Sequence, residues 1–177
     1  MLKKQLFLAA IFCCCLFACN DDTQPDAKPL NLSTDKESIG LLLDSLNSAA
    51  SAADFEEYFS FYADDAVFAG TDATERWDKK AFMAWAKPFF DKGKAWSFSV
   101  INRNIYFDET GNLAWFDELL NTQMKICRGS GVVTKEAGVW KIQQYILSVT
   151  VPNQVLDTVI AIKASDEDLL MKKLVSE

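Results

Sequence analysis

Residues 95–151 read AWSFSVINRNIYFDETGNLAWFDELLNTQMKICRGSGVVTKEAGVWKIQQYILSVTV, and this stretch decides the fold class. It contains four runs rich in β-branched and aromatic residues, at about 95–108, 113–125, 126–135 and 139–151. The polar, glycine-containing separators at 108–112 and 136–138 are typical of hairpin turns. No turn residue separates the second run from the third, so either a bend or a shortened strand fits there. Strands at such short spacing predict an antiparallel meander.

The sequence on both sides of this stretch predicts helices. Residues 34–62 carry apolar side chains at helical spacing, with a kink at Asp54. A short strand at 66–69 and a helix at 79–91 come next, and Pro88 bends or ends that helix. A last helix is predicted at about 154–175. Helices packed on one face of a curved antiparallel sheet make an α+β fold, and its cone-shaped cavity is the default ligand site.

The first 18 residues predict a lipoprotein signal peptide. Lys3 and Lys4 precede an uncharged apolar run that is about half to two-thirds of the ~20 residues needed to cross a bilayer. Residues 16–19 then follow the order of a lipobox, in which the thiol of Cys19 receives the lipid. The alternative is an ordinary signal peptide with a chance cysteine at its end.

Lipidation of Cys19 predicts both the location and the domain organisation of the chain. More than one acyl chain on Cys19 gives stable anchoring, because each buried methylene adds about 0.8 kcal/mol. We therefore expect a lipoprotein of the cell envelope, held at the outer membrane through the lipid on Cys19. Residues 19–33 are polar and contain two prolines, which predicts a flexible tether. Residues 34–177 remain for a single domain.

Composition excludes several function classes. The formal net charge is −7 and no basic cluster is present, which argues against nucleic acid as a partner. The chain has no histidine, so neither a Ser-His-Asp triad nor a histidine-ligated metal site can form. We expect no metal and no cofactor. Cys127 is the one cysteine that remains beyond Cys19, and we interpret it as a small core residue rather than a nucleophile.

Two adjacent acids lie within the apolar strand at 113–120. Asp117 and Glu118 point to opposite faces because neighbouring strand residues alternate. A carboxylate among large apolar neighbours has a raised pKa and can act as a general base. The alternatives are an ion pair with Arg103 or Arg128 on a neighbouring strand, or the anchoring of a ligand.

Further candidate residues lie outside that strand. Glu75 and Trp77 are in the loop before the helix at 79–91, where Glu75 is a third catalytic candidate or a cap, and Trp77 contacts ligand or fills the core. The residues predicted to bind ligand are Tyr62, Trp77, Arg103, Trp115, Asp117 and Gln144. For the aromatic members, plain core packing is the alternative.

Several motifs resemble one known group. They are the run at 62–68 (YADDAVF), the loop at 70–77 with Phe82, and the segments 114–118, 128–132 and 140–142. Together they are similar to the SnoaL-like branch of the nuclear transport factor 2-like (NTF2-like) superfamily over about residues 37–153. The resemblance implies a cone-shaped fold, a deep pocket and a homodimer. Separately, residues 20–22 (NDD) resemble the acidic start of surface lipoproteins of Bacteroidetes.

The resemblance does not imply one activity. Steroid isomerases of this fold place a catalytic aspartate eight residues after the position of Tyr62, where this chain has Gly70, and glycine cannot accept a proton. The cyclase branch often uses a histidine, which is absent here.

Three hypotheses follow. The first is a domain that binds a small apolar or amphipathic molecule, the second a metal-independent isomerase, cyclase or hydrolase that uses a pocket carboxylate, and the third a protein-interaction or structural module. A cavity with an unpaired carboxylate favours the enzyme, a cavity with every charge paired favours binding, and a filled cone favours the interaction module.

Overall fold

The computed structural model describes residues 32–176. The predicted signal peptide, Cys19 and most of the predicted tether lie outside these residues. The elements in chain order are α1 (Leu32–Ala52), α2 (Phe55–Ser60), β1 (Tyr62–Ala69), β2 (Arg76–Asp78), α3 (Lys79–Asp91), β3 (Ser99–Phe107), β4 (Leu113–Thr122), β5 (Lys125–Glu136), β6 (Val139–Val149) and α4 (Leu156–Ser176). A short 3₁₀ turn, Asn153–Val155, precedes α4.

The strands form one six-stranded sheet in the order β2-β1-β6-β5-β4-β3. Strands β3 to β6 are antiparallel neighbours, which confirms the predicted meander. β1 joins the meander parallel to β6, and β2 pairs with β1 at the edge. The α+β fold class is confirmed. The three residues of β2 are too short to show a period, and no sequence pattern predicted this strand.

The border between β4 and β5 is a two-residue hairpin, Gln123-Met124. Thr122 stabilises this hairpin turn, which lacks the glycine that is common in such turns. Its hydroxyl donates to the carbonyl of Lys125 (2.9 Å) and accepts from the N–H of Met124 (2.9 Å). Lys125 has a positive φ of 71°. A threonine that bonds both sides of the turn therefore reverses the chain where the sequence offered no glycine or proline.

The helical region before β1 breaks as predicted at Asp54. The Asp54 carboxylate caps α2 by accepting from the N–H of Glu57 (2.9 Å). The predicted end of the helical region at residue 62 was wrong, because Tyr62 already begins β1. The helix at 79–91 has the predicted bounds, and Pro88 lies inside it without ending it.

The core lies between the helices and one face of the sheet. Alternate residues of β4 are buried against the helices, at positions 114, 116, 118, 120 and 122. From the other side, α1 contributes Ile39, Leu43 and Leu46. Gly129 and Gly131 of β5 face the same interior, where an added Cβ would overlap the Tyr145 hydroxyl and the ring of Phe116 respectively. The small residues at this point let large rings from β4 and β6 meet across β5.

α4 differs from the other helices because none of its residues is buried. Its exposed apolar side chains include Ile162 and Leu169. Within residues 32–176, no helix is both long enough and apolar enough to cross a membrane.

Candidate functional site

A cavity of ≈ 180 Å³ opens between the helices and the sheet, at the end where β4 turns into β5. For scale, a cavity of about 150 Å³ holds one benzene ring. The lining is mainly apolar and aromatic: Leu46, Asn47, Tyr58, Phe68, Gly70, Thr71, Glu75, Phe82, Trp85, Trp96, Phe98, Gln123, Met124, Tyr145 and Leu147. The cone is therefore not filled.

The cavity wall is a group of nearly parallel rings around Phe82. The ring of Phe82 stacks on Phe68 at a centroid distance of 4.0 Å and lies 6.0 Å from Trp85 and 6.1 Å from Trp96. α3 supplies Phe82 and Trp85, which are three residues apart and thus on one side of the helix. β1 supplies Phe68, and the segment before β3 supplies Trp96. Rings from three parts of the chain hold one another in place and present a flat apolar surface.

Two tyrosines line the cavity, and the hydroxyl of each has a hydrogen-bond partner inside the protein. Tyr58 shares a hydrogen bond with Tyr62 (O–O distance 3.1 Å), and the Tyr145 hydroxyl donates to Oε1 of Glu118 at 2.7 Å. Burial raises the pKa of all three phenols, and the neighbouring charge of Glu118 adds to this effect for Tyr62 and Tyr145. The tyrosines are therefore neutral hydrogen-bonding groups at neutral pH.

Glu118 lies behind Tyr145 and is 1% exposed. Its Oε2 accepts from Nε of Arg103 at 2.8 Å, and Arg103 Nη1 donates to Asp44 (2.9 Å) and to the carbonyl of Gly40 (3.0 Å) in α1. Burial acts to lower the pKa of Arg103, but the charges of Glu118 and Asp44 outweigh it and the pKa is raised. The ion-pair alternative for Glu118 is therefore confirmed with Arg103 as its partner.

Glu75 is the one predicted acid that lines the cavity. The loop from β1 to β2 is fixed because the Gly70 N–H donates to the Glu75 carbonyl (2.8 Å) and the Glu75 N–H donates to the Asp72 carbonyl (3.0 Å). The side-chain Oε2 of Glu75 accepts a hydrogen bond from the Asp72 N–H at 3.2 Å. Among residues 32–176, no lysine or arginine nitrogen lies within 4.0 Å of this carboxylate.

Gly70 leaves the space that the carboxylate of Glu75 occupies. A Cβ added at position 70 would overlap Oε2 of Glu75. The space beside Gly70 is thus filled by the side chain of Glu75, five residues further along the chain. A carboxylate therefore does lie beside position 70, where this chain has no side chain, and Glu75 supplies it.

The outer face of the sheet holds three of the predicted site residues. Trp115 is 45% exposed and stacks on Tyr106 at 5.9 Å, and Asp117 accepts from the Asn104 side chain at 3.1 Å. Gln144 lies in the same outer row, opposite Val132. Trp115 was predicted either to line the ligand cavity or to pack in the core, and its exposed position on the outer face matches neither prediction. The strict alternation of β4 puts Glu118 inward and its neighbours outward.

The remaining predicted residues lie behind the cavity wall. Trp77 stacks on Trp85 at 4.9 Å and on Phe68 at 6.1 Å, so it supports lining rings without lining the cavity itself. Tyr62 is 3% exposed beneath Tyr58, and Arg103 is engaged with Glu118. Cys127 is fully buried, as expected of a core residue. In the described part of the chain, no three acidic or cysteine side chains converge as a metal site would need.

Sequence reasoning missed several lining residues. Leu46, Gln123, Met124 and Leu147 come from three separate parts of the chain. Leu46 belongs to the apolar stripe of α1 and looks like any core residue. Gln123 and Met124 reach the cavity only because the chain turns there, and the signal for that turn was the hydroxyl of Thr122.

Comparisons with known proteins agree with this architecture. The family model described as "SnoaL-like domain" matches residues 39–152. An NTF2-like protein of unknown function from Pseudomonas putida KT2440 superposes with a TM-score of 0.59 at 16% identity, covering 70% of this chain and 92% of that one. A domain of unknown function with a cystatin-like fold from Nostoc punctiforme gives a TM-score of 0.60 at 16% identity, with 81% and 96% covered.

A third similar structure is an association domain. The association domain of C. elegans CaMKII superposes with a TM-score of 0.54 at 17% identity, covering 66% of this chain and 97% of that one. Identities this low show a common fold and nothing finer. No curated protein matches the sequence.

Proposed function

Because the chain belongs to the family of SnoaL-like domains, which can bind ligands or act as enzymes, we propose that it binds a small apolar or amphipathic molecule in its cavity. The observation that supports this most is the aromatic-lined space of ≈ 180 Å³. It accommodates a molecule with one aromatic ring, since a cavity of about 150 Å³ holds benzene. Glu118, the most deeply buried acid, is fully engaged by Arg103 and Tyr145, as expected if it serves structure.

A matched pair of variants tests cavity binding. Leu147 lines the cavity, whereas its neighbour Ile146 lies on the outer face. Leu147→Phe fills the cavity and is expected to abolish retention of a small molecule, while Ile146→Phe is expected to retain it. Native mass spectrometry of the full chain, purified from its own host, gives the readout. A molecule that stays bound in both variants, or in neither variant nor the parent, contradicts the proposal.

We propose further that Cys19 carries a lipid and that the domain is held at the outer membrane of a bacterium of the Bacteroidetes type. The support for the lipid is the order of residues 16–19 after an uncharged apolar run, and the support for the Bacteroidetes type is the acidic start at residues 20–22. The intact mass of the protein from membranes should show diacylglycerol on Cys19, and Cys19→Ala should leave the signal peptide uncleaved. A mature protein that lacks lipid and is released to the medium contradicts this part.

An enzyme is the second candidate function, and Glu75 is the observation that favours it. A carboxylate with no cationic partner, placed beside an apolar cavity, can accept a proton from a bound substrate. Asp117 does not share this position because it lies on the outer sheet face. Turnover of a cavity ligand by the parent chain, lost in Glu75→Gln with binding retained, supports catalysis.

The third candidate is pairing of two copies through the outer sheet face. The stacked rings of Tyr106 and Trp115 are both nearly half exposed there, together with Leu113. A homodimer that covers this face should dissociate in the variant Trp115→Glu, because a charge would be buried without a partner. Sedimentation equilibrium of parent and variant measures this, and a monomeric parent protein contradicts the pairing.

A further inference from the structure

The cavity has a single charged side chain. Among its lining residues in the described part of the chain, Glu75 is the one acidic or basic side chain, and the other polar lining groups are amides, hydroxyls and indole N–H groups. The buried ion pair of Arg103 and Glu118 lies behind this lining and compensates itself. The charge that a ligand meets in the cavity is therefore one negative carboxylate.

That carboxylate is held in place but keeps bonding capacity. Oε2 takes one hydrogen bond from the Asp72 N–H, and the loop backbone fixes the residue from both sides. A carboxylate can accept several hydrogen bonds, so most of its capacity remains for a ligand. The absence of a side chain at Gly70 keeps this position open to the carboxylate.

The rings beside Glu75 also favour positive charge. Trp85 and Trp96 line the same cavity, and the face of an indole ring attracts cations. Trp85 is 39% exposed, so it lies on the open side of the ring group, whereas Phe82 is buried. An anionic ligand would be repelled by Glu75, and a purely apolar ligand would leave the carboxylate beside an apolar surface without a charged partner.

Given that the proposed binding in this cavity holds, we propose that the ligand is an alkylamine whose hydrocarbon body carries an aromatic ring or an aliphatic chain. Its protonated nitrogen donates to Glu75, and its apolar body packs against Phe68, Phe82 and Trp96. This names the ligand class for the cavity and assigns Glu75 the recognition of charge. The proposal involves no covalent step.

Three probes of similar size and different charge test the ligand class: phenethylamine, phenethyl alcohol and hydrocinnamate. At pH 7 they are a cation, a neutral molecule and an anion. Isothermal titration of the full chain should show the amine binding about tenfold to a hundredfold more tightly than the alcohol, which is the usual range for a hydrogen bond to a charged group. Hydrocinnamate should bind most weakly.

Variants separate a local effect from the net charge of −7. Glu75→Gln should remove the preference for the amine and leave binding of the alcohol within about twofold. The control Glu109→Gln makes the same change of charge in the exposed β3–β4 turn, at the opposite end of β4 from the cavity, and should keep the preference. Gly70→Ala, which displaces the Glu75 carboxylate, should behave as Glu75→Gln does.

The outcomes distinguish the two proposals. Equal binding of amine and alcohol by the parent chain, or equal losses in Glu75→Gln and Glu109→Gln, overturns the amine proposal while the cavity remains a binding site. Binding of none of the three probes overturns cavity binding and the amine proposal with it. Circular dichroism and the melting temperature of each variant establish that the folded state is being titrated.

Discussion

Two glutamates lie between the helices and the sheet, and their surroundings are opposite. Glu118, in the middle of β4, is 1% exposed and is bound by Arg103 and Tyr145. Glu75, at the cavity, is partly exposed and has one hydrogen bond, from the backbone of its own loop. In the sequence both were candidate catalytic acids, Glu118 within an apolar strand and Glu75 within a polar loop. The comparison shows that partners, rather than burial alone, separate a structural carboxylate from one available to a ligand.

The two glutamates also belong to different ends of the interface between helices and sheet. Asp44 and Asp35 join α1 to the sheet by ionic contacts, to Arg103 on β3 and to Lys135 on β5. Glu118 on β4 shares the same Arg103. At the other end, aromatic rings and the cavity replace such contacts. The ion-paired part therefore fixes α1 against the sheet.

The largest effect is expected from breaking the buried pair. Glu118→Gln leaves the buried Arg103 guanidinium with the exposed Asp44 as its remaining charge partner and should lower the free energy of unfolding by about 3–5 kcal/mol. The neighbouring change Asp117→Asn, on the outer face, is the control and should cost less than about 1 kcal/mol. Urea denaturation of both variants measures the difference. Equal losses would mean that the two faces of β4 are not distinct.

A smaller effect is expected from Tyr145→Phe. The substitution removes the hydroxyl that donates to Glu118 at 2.7 Å and leaves the packing of the ring unchanged. A buried acceptor that loses one of its two partners costs about 1–3 kcal/mol. In the double variant with Glu118→Gln the two losses should not add, because they concern one network. Strictly additive losses in a double-mutant cycle would contradict the network.

The smallest effect is expected at Asp35, and it depends on pH. The hydrogen bond from Lys135 holds the pKa of Asp35 below 3.8 in spite of partial burial, and Trp140 assists. Because the folded-state pKa is depressed, the contribution to stability is present above pH 3.8 and is lost as pH falls through the folded value. Asp35→Asn should therefore melt below the parent at pH 7, with a smaller gap at pH 3. A gap that is constant with pH would contradict this assignment.

The sequence predicted those parts of the fold that depend on local periodicity. β4 and α1 each bury one face, so apolar residues alternate along β4 and recur at helical spacing along α1. Both patterns can be read from the amino-acid sequence. The parallel pairing of β1 with β6 was not predictable, because it joins segments about eighty residues apart and depends on how the meander curls. β2 was also not predictable, since its three residues form a strand only through pairing with β1.

The site was less predictable than the fold. The alternation along β4 showed that Asp117 and Glu118 face opposite ways, but only the helix α1 identifies the buried side. Arg103 was foreseen as a partner of Glu118, whereas Asp44 was not, because it comes from α1. Gly70 pointed to a missing side chain, and only the folded loop shows that Glu75 fills that space.

The comparison of the two glutamates is tested most directly by measuring two quantities on the same two variants. The quantities are the melting temperature and the affinity for phenethylamine, in Glu75→Gln and in Glu118→Gln at a temperature where both are folded. We predict that Glu75→Gln loses affinity with little change in melting temperature, and that Glu118→Gln loses thermal stability while its affinity stays within about threefold, since Glu118 does not line the cavity. A Glu75→Gln variant that loses stability but binds the amine normally would contradict the distinction.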